Sequence, residues 1–259
     1  MAGSTSTPQD LLRGLTLPVA LVVAIVVAAA WIVAWATSDL LMGFLGMSGM
    51  IEIGSLQLAV FFVIMIVMMV AMMLPSALPM IVAYHGLTRL EAGQPTKPAD
   101  RAATASFVAP YFLVWGAFGV AALLGLITLG LMSPLPGTLL FVPAFVLASA
   151  GVYQFTRTKQ VCLAHCQSPM SFVMLHWRSG RWGAFRMGLR HSMYCVGCCW
   201  LFMIALFVAG AMSLVWMGVL SLAIFAEKVG TRPRLTSRVI AVILIALGAL
   251  AAVGAFALR

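Results

Sequence analysis

Long uncharged apolar stretches alternate with short charged ones along the chain. Their lengths predict helices that cross a membrane, since about 20 apolar residues span roughly 30 Å of hydrocarbon. One run covers residues 15–38. The next uncharged block, 53–88, predicts one span starting near Leu56 and broken at its far end by Pro75 and Pro79. Residues 102–156 are too many for one helix, and Ser133-Pro134-Leu135-Pro136-Gly137 divides them in two. Residues 191–226 would run about 54 Å as a single helix, so a division is expected near Ala209-Gly210-Ala211. A last span fills residues 239–258. The expectation is an all-α polytopic membrane protein of about seven transmembrane helices, or six if the short fifth and sixth are one.

Basic residues test that count. With a cytoplasmic N-terminus, fourteen of the fifteen Lys and Arg fall on inner segments, and Arg259 alone lies outside. Asp39 and Glu52 occupy the first outer loop, which has no basic residue. This alternation follows the positive-inside rule. Composition agrees: 63% of residues are hydrophobic and 8% charged, with mean hydropathy +1.11, against roughly a quarter charged in soluble domains. A cytosolic globular protein, a disordered chain and a nucleic-acid-binding domain are therefore excluded, and the net charge of +9 reports topology. Residues 1–14 are expected to be a flexible tail and 15–259 a single integral membrane domain. The first apolar run exceeds a signal-peptide core and reads as a retained anchor.

All five cysteines and three of the four histidines lie within residues 162–199. This segment, a Cys/His-rich interfacial loop and helix start over 157–199, is placed on the cytoplasmic side. Thiols stay reduced there, so metal binding or thiol chemistry is the expectation. Cys162, His165 and Cys166 share one helical face if the fourth span continues past Lys159. His191, Cys195, Cys198, Cys199 and Met203 form a second stripe entering the fifth span. The candidate metal ligands are Cys162, Cys166, His191, Cys195, Cys198 and Cys199, with His165 and His176 as secondary candidates. Thiolates select Cu(I) or zinc, and six acidic residues in the whole chain leave little for a hard cation. Between the stripes, Phe172, Leu175, Trp177, Trp182 and Phe185 alternate with Arg178, Arg181, Arg186 and Arg190. That mixture predicts a segment lying along the membrane surface, whose arginines would favour nearby thiolates. His85 reads as an interfacial side chain.

The predicted second span carries Met65, Met68, Met69, Met72 and Met73, five within nine residues against eighteen in the chain. Their offsets put them on one helical face, with Met203 as a further thioether candidate. Met fills irregular cores, and its neutral thioether also suits Cu(I) where a buried charge would be costly. Met42, Met47 and Met50 sit in the outer loop at the mouth of such a path, and Met80 follows the prolines.

Several of these segments resemble a bacterial family described as predicted metal-binding integral membrane proteins, some carrying a copper-chaperone label. The match runs from about residue 55 to 230. It rests on Met72-Met73-Leu74-Pro75-Ser76-Ala77, on Tyr153-Gln154 with Lys159, Cys162, Cys166 and Pro169, and on His176-Trp177-Arg178. Gly188 with His191, the run Tyr194-Cys195-Val196-Gly197-Cys198-Cys199-Trp200, and Glu227-Lys228 complete it. The resemblance implies metal association in a multi-pass protein of the bacterial inner membrane. The expected function is Cu(I) binding for transport or delivery, with lipid around the chain, a cuproprotein or metallochaperone as partner, and no nucleic acid. No enzymatic activity is expected. The alternatives are a membrane thiol oxidoreductase using Cys195 and Cys198, and an assembly factor with a structural zinc site.

Overall fold

The computed structural model describes residues 8–46, 55–91, 100–128, 141–208 and 213–257. Every element among them is helical: α1 (Pro8–Gly46), α2 (Ser55–Glu91), α3 (Arg101–Thr128), α4 (Val142–Tyr153), α5 (Arg157–Gln167), α6 (Pro169–His176), α7 (Gly180–Val208), α8 (Leu214–Val229) and α9 (Pro233–Ala257). Five contain segments long and apolar enough to cross a membrane: Leu17–Ser38, Phe62–Thr88, Arg101–Ala122, Gly180–Leu206 and Pro233–Phe256. The remaining two expected spans correspond to α4, with 12 residues, and α8, with 16. Both expected divisions are present, between α3 and α4 and between α7 and α8; residues 133–137 and 209–211 themselves lie outside the described residues. α1 begins at Pro8, inside the segment expected to be a tail.

α7 is the hub, packed against α3, α4, α5 and α8, while α2 packs against α1, α3, α6 and α8. Small residues permit the closest approaches, as is usual where helices pack without a solvent-driven force. A Cβ on Gly188 would strike the Phe107 carbonyl of α3. One on Gly151 of α4 would lie 2.8 Å from the Ala241 carbonyl of α9. The outer helices turn bare hydrocarbon outward: Leu21, Val22, Ile25, Ile32 and Trp35 of α1 are exposed, as are Val242, Leu250 and Val253 of α9.

Three expectations need correction. α2 is not broken at Pro75 and Pro79 but runs through both. Pro75 has no N–H for the carbonyl four residues back, and the indole Nε1 of Trp31 donates to that carbonyl, Ala71 O, at 3.1 Å. The fourth helix does not continue past Lys159. It ends at Tyr153, and Thr156, in extended conformation, starts α5 by accepting a hydrogen bond from the Lys159 amide at 3.3 Å. Residues 172–190 are not one surface segment. Phe172 and Val173 of α6 are buried with Tyr84, Phe107, Ala184 and Met187, because Pro169 starts a helix that tucks under α2 and α3. Leu175, Trp182 and the four arginines remain exposed.

Candidate metal centre

The thiols of α7 point into the bundle because Cys195, Cys198 and Cys199 recur on its inner face, and α5 lies across that face. The two cysteine segments meet: Cys166 Sγ is 4.0 Å from Cys198 Sγ, and Cys198 Sγ is 3.2 Å from Cys199 Sγ. Cys198 also donates to the Cys195 carbonyl at 3.1 Å. All four sulfurs are buried, and all five cysteines are free thiols. Two sulfurs holding one ion at about 2.3 Å in trigonal or tetrahedral geometry stand about 3.8–4.0 Å apart. The Cys166–Cys198 pair already has that bite; Cys198 and Cys199 would have to spread to share an ion. Among the described residues no group of three or more His, Cys, Asp and Glu side chains is arranged so that it could hold a metal ion.

Around the thiols stand groups that the spacing of Cys and His did not reveal. Lys228 of α8, itself buried, places Nζ 2.9 Å from Cys195 Sγ and donates to Ser76 Oγ at 3.3 Å. The Tyr111 hydroxyl of α3 lies 3.3 Å from the same sulfur and donates to Met73 O, also at 3.3 Å. Behind Cys198, Lys159 of α5 donates to the Cys198 carbonyl at 2.6 Å and pairs with Glu227 at 2.7 Å, both side chains fully buried. Burial pulls the Lys159 ammonium down most strongly, but the Glu227 carboxylate together with the nearby Cys199 and Cys198 sulfurs holds it above the usual lysine value. A buried pair of this kind contributes little net stability, yet removing one partner strands the other charge. Lys159 and Lys228, counted among the inner basic residues, are thus buried, and the role given to the arginines is corrected: the cation at the thiols is Lys228. A lysine one turn before a cysteine and an acid–base dipeptide closing an apolar run were the available signals.

His191 lies one turn before Cys195, buried among Phe107, Tyr111 and Phe172 with ring centroids 5.7–6.3 Å away. Neither ring nitrogen has a hydrogen-bond partner. A buried imidazole with both nitrogens unpaired is uncommon, and it offers a lone pair to an ion. Cys162 packs on Gly197, one turn from Cys166; it is half-buried, and burial pushes its thiol up while Lys159 pulls it partly back. His165 stacks on Tyr194 at 4.2 Å with Nδ1 on Val161 O, and His176 packs tilted against Phe172 with Nδ1 on Phe172 O. Neither joins the thiols. His85 bonds Thr104 at 2.8 Å.

Met68, Met69, Met72, Met73 and Met203 are all buried in the cluster that holds the four thiols. Met80 belongs to a second cluster with Tyr84 and Phe107. Met47 and Met50 lie outside the described residues, as do the side chains of Met42 and Met65.

These features define an all-helical bundle with helices of membrane-crossing length and a buried centre of thiols and thioethers, a donor set that suits a soft ion. The sequence profile of PpoB2, described as a copper chaperone, matches residues 62–251, and the chain belongs to that family. No curated protein and no solved structure matches it.

Proposed function

We propose that this protein is an integral protein of the bacterial inner membrane, with seven spans and a cytoplasmic N-terminus, that binds Cu(I) and delivers it to a copper-requiring protein or metallochaperone. The observation that carries this reading is the convergence of Cys166 with Cys195, Cys198 and Cys199 in one buried cluster beside His191 and Lys228. Cys166 and Cys198 would hold the ion first, with Cys195 or His191 as the third donor. Cys162 would exchange it at the more open edge. The thioethers of Met68, Met69, Met72 and Met73 would supply neutral donors along α2.

Charge arithmetic supports a monovalent cargo. Cu(I) on two thiolates carries one net negative charge, and an uncompensated charge in an apolar interior is costly. Lys228, with Nζ 2.9 Å from Cys195 Sγ in the same cluster, would offset it, whereas Lys159 is already paired with Glu227. The site residues perform binding and release and no covalent step, so no enzymatic activity is assigned.

The test is the metal content and Cu(I) affinity of detergent-purified protein under reducing conditions, in wild type and in Cys195→Ser/Cys198→Ser. Stoichiometric copper in the wild type, lost in the double variant, is the expected result. Zinc alone, released only with unfolding, would replace copper handling with a structural site. A reversible Cys195–Cys198 disulfide without bound metal would replace it with thiol redox chemistry.

A further inference from the structure

The contacts between α2 and α8 form a ladder. At the level nearest the thiols, Lys228 donates to Ser76 Oγ at 3.3 Å. One turn along α2, Ser221 donates to the Met72 carbonyl at 3.3 Å. One turn further, Met68 of α2 and Met217 of α8 line the same cleft, together with Ala34, Thr37, Ser38, Ile64, Val67 and Leu214. Both thioethers are almost wholly buried, Met68 at 2% and Met217 at 1% exposure. The cleft lies where α8 begins and where the apolar segment of α1 ends at Ser38. It therefore opens at the end of the bundle opposite Lys228. From Met68 to Ser76 is eight residues, about 12 Å along the helix axis.

We infer that Met68 and Met217 form a separate loading site for a soft monovalent ion at the far mouth of the α2–α8 interface, upstream of the thiol cluster. The inference rests on the copper reading of that cluster and adds a residue, Met217, which the methionine stripe of α2 does not contain. Two thioethers on different helices, facing one cleft, supply neutral soft donors that hold such an ion loosely. Their lack of charge spares the mouth the desolvation cost that a thiolate would bring there. The Thr37 and Ser38 hydroxyls donate to Val33 O and Trp35 O at 2.8 Å. Both side chains line the mouth, and their oxygens keep lone pairs for a hydrated ion. From this point the ladder leads past Met72 to Cys195. Loading at the thioethers and holding at the thiols are thereby divided between the two ends of one interface.

The test uses Ag(I), a redox-inert monovalent soft ion, titrated into purified full-length protein. Wild type is expected to show a tight class of sites and one weaker equivalent. Met68→Leu/Met217→Leu, which keeps volume and apolarity, should lose the weaker equivalent, keep the tight class, and load Cu(I) from a limiting supply at least about tenfold more slowly. Met187→Leu, a buried methionine of the other cluster, serves as control and should change neither. Unchanged stoichiometry and loading rate in the Met68/Met217 variant would overturn the inference. Cys195→Ser/Cys198→Ser separates this failure from that of the copper reading. If only the tight class is missing from wild type, the reading of the thiols fails while the thioether equivalent stands. Should Met68→Leu/Met217→Leu misfold, the single variants Met68→Leu and Met217→Leu are expected each to weaken the same equivalent.

Discussion

Five thiols within one segment do not share one chemistry, because four are buried and Cys162 is half-exposed. Burial lifts the Cys162 thiol above its ordinary value, with Lys159 opposing. The sign follows directly. In the unfolded chain this group ionises first, so its contribution to stability is intact below the ordinary value near 8.5 and is lost as pH rises through the lifted one. Because it alone is half-exposed, Cys162 should be modified by iodoacetamide before the other four, and because its thiol is lifted the rate should still be climbing above about pH 10, where an unperturbed thiol has levelled off. Peptide mass spectrometry across pH reads both effects; labelling of Cys195 before Cys162, or a plateau below about pH 10, would refute them. The stripe from His191 to Met203 was legible in the sequence because helical spacing alone puts those residues on one face. Lys159, Glu227 and Lys228 stood among the motifs of the family resemblance, but their burial at the thiols was not legible, since a charge at the end of an apolar run looks the same whether solvent or another helix covers it. Only the packing of α5 and α8 against α7 decides that.

Helix boundaries show a similar division. The divisions between α3 and α4 and between α7 and α8 were legible because Ser133-Pro134-Leu135-Pro136-Gly137 and Gly210 are breaker signals inside apolar blocks too long for one helix. Pro75 and Pro79 carry the same signal yet leave α2 continuous, because the carbonyl that Pro75 orphans is met by a side chain of another helix. Trp31 supplies that donor to Ala71 O from 40 residues away, a distance no local reading spans. The pairing predicts a coupled pair of substitutions. Trp31→Phe leaves a buried carbonyl unsatisfied and should cost about 1–3 kcal/mol. In a Pro75→Ala background the backbone N–H returns, and the same change should cost much less. Thermal unfolding of the four proteins in detergent measures the coupling; additive effects would show that Trp31 acts only through packing. The neighbouring carbonyls of Met72 and Met73 also take side-chain donors, from Ser221 and from Ser76 and Tyr111. The proline region of α2 is thus tied to α1, α3 and α8 at the depth where the thiols lie.

For the whole molecule, the same ties constrain how the chain threads. Juxtapositions between α2 and α8 advance in the same order on both helices, from Met68 and Met217 lining one cleft, through the Ser221 contact with Met72, to that of Lys228 with Ser76. The two helices therefore run parallel. An odd number of crossings must separate parallel spans, and in the proposed arrangement α3, α4 and α7 supply three. That is the count the proposed seven-span arrangement requires, with α7 and α8 as separate passes. The basic residues point the same way. Removing the buried Lys159 and Lys228 from the inner count leaves twelve against Arg259 alone, so the bias that orients the protein is intact without them. The expected arrangement puts the N-terminus and the Lys228 end of α8 on the cytoplasmic side, and the Thr37–Ser38 cleft with the C-terminus on the other. Alkaline phosphatase fused after Arg259 should be active, and a fluorescent protein that matures only in the cytoplasm should be bright at the N-terminus. Inactive phosphatase at the C-terminus would place both ends on one side. It would mean an even number of spans, with α1 or α9 failing to cross. The parallel pairing of α2 and α8 would survive that outcome, but the Met68–Met217 cleft could then face the cytoplasm. The direction proposed for copper along the ladder is therefore tied to this one orientation.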